Sequence, residues 1–326
     1  MRELINTLIN TGTLVIVGLT AAALLMVSFF WVRYQLGRWL DQRRWRRLQR
    51  GEHVFIGEVS SLTITPVFEW LAGDGKYITD AGVSYMIETD DAKILFDLGD
   101  NRPRRTPSPL LYNLKAMGID PVKLIDGLNA IVVSHRHREH TGGVFGFLRR
   151  QPAFDLPLDG VPTYTSWGRN HGRKAAKKIA PGVLLSANLP GRLFIGGRID
   201  ERMLLINVAG KGLVCIVGDA HPEPLRMIQY ASQITGIKPY AYVGGLHALL
   251  DDEIPLRYRV LLSKQPPWEK TNPEEIGLLA MGMREFGIEK LYVSEHDSDF
   301  VSLGILKTVF GDDMTSLRVG EAINFA

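Results

Sequence analysis

Ser134-His135-Arg136-His137-Arg138-Glu139-His140-Thr141-Gly142-Gly143 places three of the chain's eight histidines within six residues. The run that leads into it, Ala130–Ser134, reads as a buried strand. His135 and His137 are two apart, so on an extended segment they point the same way. Glu139 and His140 then enter a tighter turn or the start of a helix. One short segment can thus offer four ligands at the end of a sheet. Neutral imidazole and carboxylate are the donors that zinc, iron or manganese require.

Three further histidines each follow a short apolar run. Val217-Gly218-Asp219-Ala220-His221 follows Leu213–Ile216, Gly244-Gly245-Leu246-His247 follows Tyr240–Val243, and Ser294-Glu295-His296-Asp297 follows Lys290–Val293. Strand ends on one edge of a sheet converge on a site, which draws these segments toward the first cluster. His53 and His171 lack this context and read as surface residues. Cys215 is the single cysteine. It rules out an intrachain disulfide and a cysteine-rich zinc module, so any metal must be held by His and carboxylates.

Around these segments, short apolar runs alternate with helical patterns. Strands are expected at Ser61–Val67, Val83–Ile87, Lys93–Phe96, Pro162–Thr165, Met203–Val208 and Leu213–Val217, beside those already given. Helices are expected at Pro109–Met117, from Gly143 toward Arg150, at Pro224–Thr235, from Pro273 to Phe286, and at Asp299–Phe310. Leu249–Thr271, with Pro266-Pro267, reads as a long loop or small insertion, and long loops near a site are often lids. The order is that of an α/β chain with sheets covered by helices.

The 326 residues are 45% hydrophobic and 22% charged, which excludes a disordered chain and leaves ample length for a core. The formal charge of +3 joins two unlike parts. Residues 1–50 hold eight arginines against Glu3 and Asp41, and the remaining 30 basic residues face 33 acids. The body is therefore slightly acidic. No basic stripe with interleaved aromatics lies outside the N-terminal segment, which argues against nucleic acid as a partner.

From Leu4 to Val32 there is no charge, and seven arginines follow between Arg33 and Arg50. The apolar stretch, about 5–32, is long enough to span a bilayer. It is twice a signal-peptide core, and its positive flank comes after it rather than before. Trp31, Tyr34 and Trp39 stand where interfacial aromatics are expected. The positive-inside rule keeps the arginine flank, and the body after it, in the cytoplasm. The expected organisation is a transmembrane anchor with an Arg-rich juxtamembrane segment over 1–50, and one domain over 51–326. The arginine segment is either a plain solvated helix or a contact to anionic headgroups.

His135-x-His137-x-Glu139-His140 with Gly142-Gly143 resembles the hallmark His-x-His-x-Asp-His of the metallo-β-lactamase superfamily. Lys93-Ile94-Leu95-Phe96-Asp97-Leu98-Gly99 resembles that family's strand ending in Phe-Asp-x-Gly. Gly218-Asp219-Ala220-His221, Gly244-Gly245-Leu246-His247-Ala248 and His296-Asp297-Ser298 are similar to three motifs of its dihydropterin/ribofuranosyl-aminobenzene phosphate synthase-like branch. The resemblance spans about Ser60 to Gly320. It implies a four-layer αββα sandwich with one or two divalent ions, zinc first and manganese or iron as alternatives.

The resemblance also implies roles. His135 and His137 would hold a first metal, and His140 and Glu139 a second. Asp219 would bridge or ligate the second, with His221 or His247 completing the set. Asp97 would orient a ligand imidazole from behind. His296 would act as a general acid or bind a substrate phosphate. Three departures bear on this: the family Asp is Glu139, a frequent family His is missing at Ser166-Trp167, and the branch's Cys is Asp219. A bound Zn²⁺ lowers the pKa of its water to about 7, which makes hydroxide available at neutral pH. The expected function is a membrane-anchored metal-dependent hydrolase acting on a small phosphate ester or phosphodiester, with Asp219, Glu139 and His296 in the chemistry. The alternatives are a lactone, thioester or lactam hydrolase, and a tethered binding module without turnover.

Overall fold

A computed structural model of the chain describes residues 1–102, 104–143, 160–167, 175–250, 263–266 and 268–325, with side chains outside 2–10. The helix expected from Gly143 to Arg150, the residue His171 and most of the Leu249–Thr271 loop lie outside the described residues.

Two sheets form the centre. The first has six strands in the order β17 (Ile323–Phe325), β1 (Leu62–Phe68), β3 (Ser84–Thr89), β4 (Lys93–Phe96), β5 (Ala130–Val133) and β6 (Thr163–Thr165). The second has seven, in the order β15 (Met314–Ser316), β14 (Lys290–Val293), β13 (Pro239–Gly244), β12 (Gly212–Ile216), β11 (Leu204–Val208), β8 (Val183–Leu185) and β7 (Lys177–Ala180). Two short ladders, β9 (Leu189–Leu193) with β10 (Gly197–Glu201) and β2 (Leu71–Ala72) with β16 (Arg318–Val319), lie outside them.

The period-2 alternation of the strands assigns each residue to a layer. On β5, Ala130 and Val132 join β12's Val214 and Ile216 in the core between the sheets. Ile131 and Val133 face the other way, toward Leu110, Leu114 and Leu124 of α2 (Pro109–Ala116) and α3 (Pro121–Asp126). Leu213 and Cys215 turn outward onto Met227, Ile276 and Leu306, which belong to α4 (Pro224–Thr235), α5 (Pro273–Glu285) and α6 (Phe300–Phe310). The layers are therefore helix, sheet, sheet, helix. A strand buried on both faces must be apolar throughout, which is why β5 and β12 read as continuous apolar runs.

The α1 helix runs unbroken over Arg2–Leu48, and its apolar part is long enough to cross a membrane by length and composition, with none of that window buried against the protein. Its last four turns behave differently. Tyr34, Gly37, Asp41 and Trp45, at helical spacing, are buried against the body. Trp45 donates from Nε1 to the Pro190 carbonyl (3.1 Å) and joins the outer core. Arg44 forks onto both oxygens of Asp200 at 2.8 Å, and Arg192 meets Asp41 at 2.7 Å. The arginine segment is thus two-faced: one face docks on β9 and β10, while Trp39, Arg43, Arg46 and Arg47 stay exposed. The boundary expected at residue 50 falls after a helix end that is already packed on the body.

Candidate metal centre

Parallel strands end together, and here their carboxyl ends carry the histidines. β4 leads to Asp97, β5 to His135–His140, β12 to Asp219 and His221, β13 to His247, and β14 to His296. Several of these joints need unusual backbone. Asp97, Ala220 and His247 all have positive φ, a conformation costly for residues other than glycine and held only by strong surroundings. Gly218 is fixed by space: a Cβ there would lie 2.4 Å from Ser134 Oγ and 3.1 Å from His135 Nδ1.

Asp219 is the hub. Its Oδ2 lies 3.3 Å from His135 Nε2 and 3.4 Å from His221 Nε2. Its Oδ1 lies 2.9 Å from His140 Nε2 and 3.0 Å from His296 Nε2. His137 completes the first set, with Nδ1 3.2 Å from His221 Nε2. Two groups result, each with ligand atoms within 4.8 Å of one another: His135, His137, Asp219 and His221, and His140, Asp219 and His296.

These groups fit divalent ions. His135 Nε2 and His140 Nε2 are buried without a hydrogen-bond partner although the Asp219 carboxylate is near. Buried polar atoms are rarely left so, unless something else takes their lone pairs. Burial, then neighbouring His140, holds His135 well below its usual pKa. Burial also lowers His137 and His221, so this set is neutral, as metal ligation requires. Burial opposes charge on His140 and His296 too. There the Asp219 carboxylate, joined by Asp97 at His140 and by Asp297 at His296, outweighs it, raising His140 well above the usual value and His296 to about 9. Asp219 itself is held well below the carboxylate range, because the imidazoles outweigh its burial.

Behind the histidines and Asp219 stands a layer of buried acceptors. Asp97 Oδ2 lies 2.7 Å from His140 Nδ1 and accepts Ser134 Oγ at 2.7 Å, while Oδ1 accepts Ser134 N at 2.6 Å. That is the orienting part given to Asp97 above. His296 Nδ1 meets Ser294 Oγ at 2.7 Å, Ser294 donates to Glu69 (2.8 Å), and Tyr85 donates to the other Glu69 oxygen (2.7 Å). Burial raises Glu69 to about 7. Glu201 accepts four consecutive backbone N–H groups: Gly218, Asp219 and Ala220 at Oε1, and His221 at Oε2, at 2.9–3.1 Å. It holds the ligand loop by its main chain. Burial, then Asp219, raises Glu201 to about 7. Neither Glu69 nor Glu201 is visible as a motif, because each acts through backbone or hydroxyl groups that sequence spacing does not mark.

Three expected residues sit otherwise than the resemblance implied. Glu139 lies outside both groups, with Oε1 3.5 Å from His137 Nδ1 and its side chain partly exposed. It shares a 3₁₀ turn with His140. Successive residues of such a turn diverge by about 120°, so His140 enters the cluster and Glu139 faces its rim. His296, expected as an acid or phosphate binder, stands among the ligand atoms of the second group. His247 flanks His221, ring centroids 5.0 Å apart, but belongs to neither group. Its backbone N–H is held by Asp297 at 2.8 Å. His53 is exposed.

No family model matches the chain. It is 24% identical over 320 residues to the 7,8-dihydropterin-6-methyl-4-(beta-D-ribofuranosyl)-aminobenzene-5′-phosphate synthase of Methanocaldococcus jannaschii, covering 83% of this chain and 99% of that protein. Among solved structures it is similar to a metal-dependent hydrolase of the beta-lactamase superfamily, at TM-score 0.53 and 17% identity, covering 80% of this chain and 98% of that one. The metallo-beta-lactamase fold protein YhfI from Bacillus subtilis follows at TM-score 0.48 and 14% identity, covering 82% and 100%. The resemblance carried by the motifs holds at the level of architecture: this chain has the metallo-β-lactamase fold.

Proposed function

We propose that the chain is a membrane-anchored, metal-dependent hydrolase that uses two divalent ions on a phosphate-bearing ester. One observation carries the reading: a single buried carboxylate, Asp219, turns one oxygen to His135 and His221 and the other to His140 and His296. A hard bridging carboxylate between two imidazole sets suits a pair of zinc, manganese or iron ions. His135, His137 and His221 would hold the first, and His140 and His296 the second. Such ions supply Lewis acidity and an acidified water at the reacting centre.

The chain's own residues supply the preorganisation. Asp97 fixes the tautomer and ring plane of His140, the Ser294–Glu69–Tyr85 chain does the same for His296, and Glu201 clamps the loop that carries Asp219 and His221. Glu139 and His247 stand at the rim, where a substrate group would meet them. The methanogen relative's name contains a 5′-phosphate, which supports a phosphate-bearing substrate. That name is also a synthase's, so the second reading is a transfer or ring-forming reaction at the same centre. The exposed apolar span of α1 and its arginine flank support the anchor, with the body on the cytoplasmic side.

The test is turnover by the full chain in neutral detergent, supplied in turn with Zn²⁺, Mn²⁺ and Fe²⁺. The substrates are p-nitrophenyl phosphate, bis-p-nitrophenyl phosphate and a γ-lactone panel. Metal-dependent release from a phosphate ester, abolished in Asp219→Ala, is expected. Lactone turnover alone would move the substrate class, and no turnover by fully metal-loaded protein would favour the tethered binding module.

A further inference from the structure

Beside the centre lies a cavity of about 340 Å³, within the range of small-molecule sites. Its lining includes Tyr34, Arg38 and Asp41 of α1 and also His221 of the first histidine group. The juxtamembrane helix and one residue of the first group thus share the lining of a single cavity. The two are also tied by hydrogen bonds. Tyr34 donates to the Lys264 carbonyl (2.8 Å), and Lys264 Nζ donates to the Ala220 carbonyl (2.9 Å), within the loop that carries Asp219 and His221.

The height of this cavity above a membrane follows from the helix. The uncharged span ends at Val32 and α1 continues without a break. At 1.5 Å per residue, Tyr34 stands about 3 Å beyond that end and Arg38 about 9 Å. The headgroup layer reaches about 5–7 Å past the hydrocarbon core, so Tyr34 stands within it and Arg38 just at its outer side. Docking through Arg44–Asp200 and Trp45–Pro190 fixes the body against the helix, so the cavity cannot swing away from that level.

Its charge favours an anion. Asp41 is engaged by Arg192 (2.7 Å) and Glu223 by Arg226 (2.9 Å). Arg38 instead stacks on the Tyr34 ring, 5.5 Å from its centroid, and Lys264 gives its ammonium to a carbonyl. Among the described residues, these two cations face one further wall acid, Glu269.

We infer that the cavity between α1 and the centre takes the phosphate-bearing head of a membrane amphiphile, presented from the bilayer to His221's side of the site. The inference names the substrate class for the function proposed above and rests on α1 spanning the membrane. It also gives the tether a purpose: the helix that anchors the chain builds part of the wall of its substrate site.

The probes are dodecyl phosphate, inorganic phosphate and dodecyltrimethylammonium, titrated by native mass spectrometry against the full chain in dodecyl maltoside, with metal content measured on the same samples. Dodecyl phosphate should bind saturably at one per chain, at least tenfold tighter than either other probe. Arg38→Glu, a change on an exposed side chain, should weaken it at least tenfold without altering metal content, and Lys264→Met should act in the same direction. Equal binding of inorganic phosphate would mean a soluble ligand, and equal binding of the ammonium amphiphile would mean adhesion to α1. Either result, or an Arg38→Glu variant that binds as tightly as the parent, overturns the inference. A chain that binds dodecyl phosphate selectively but holds no metal would instead strike the hydrolase reading and leave this one standing.

Discussion

Replacing Glu201 by glutamine tests how the ligand loop is held. The carboxylate accepts four main-chain N–H groups, three at Oε1 and one at Oε2. An amide can keep its oxygen on Gly218, Asp219 and Ala220. Its NH₂ must then face the His221 N–H, donor against donor. One buried N–H is left unsatisfied, which costs about 1–3 kcal/mol. For a body of this size each kcal/mol lowers Tm by about 2–4 °C, so Glu201→Gln should melt several degrees lower. The loop it loosens carries Asp219 and His221, so metal affinity should fall by roughly 10–100-fold, the usual scale for loss of a partner behind a ligand. Calorimetry of the metal-free protein and competition against a chromophoric chelator measure the two effects separately. Unchanged Tm together with unchanged affinity would refute the claim that Glu201 organises the loop. A lower Tm with full affinity would confine its role to the fold.

Other expectations follow from the same geometry. In metal-free protein His140 is held well above the usual imidazole pKa and His296 at about 9, so a metal must displace protons from the second group but not from the first. Ions per chain after dialysis should therefore rise from about one near pH 6.5 to about two near pH 8.5, and a pH-independent count would contradict this. The His296–Asp219 pairing stabilises the metal-free fold fully below about pH 6.5 and is lost as pH rises through about 9, a trend that melting curves across this range should show. Gly218→Ala forces a Cβ to within 2.4 Å of Ser134 Oγ. It should cost about 1–3 kcal/mol by urea titration. Trp45→Ala removes a buried ring from the outer core and should cost about 3–5 kcal/mol; an unchanged Tm would mean that α1 does not dock on the body.

Much of the site was legible because its signals are local. Three histidines in six residues, and Gly-Asp-x-His and Gly-Gly-x-His after apolar runs, mark candidate donors and strand ends together. Lys93–Phe96, Pro224–Thr235 and Lys290–Val293 lie where their patterns place them, since each is bounded by a turn residue or proline. The strands between Lys177 and Glu201 escaped notice for a physical reason. Lys177-Lys178-Ile179-Ala180 is short and half polar, and Leu189-Pro190-Gly191-Arg192-Leu193 carries two residues that weaken a strand pattern. The docking face of α1 was hidden by its arginines. Arg44 and Arg33 read as solvated or lipid-facing, yet they pair with Asp200 and the Ile195 carbonyl of the body. Partners more than 150 residues away leave no trace in local spacing.

The central claim is that Asp219 stands between two metal sites. The most direct measurement is elemental analysis of the full chain, purified without chelator, beside His135→Ala and Asp219→Ala. The full chain is needed because Trp45 of α1 belongs to the core of the body. Near pH 8.5 the account predicts about two ions per chain, about one in His135→Ala and none in Asp219→Ala. A parent protein that holds no metal after loading with Zn²⁺, Mn²⁺ or Fe²⁺, or an Asp219→Ala variant that keeps both ions, would contradict it.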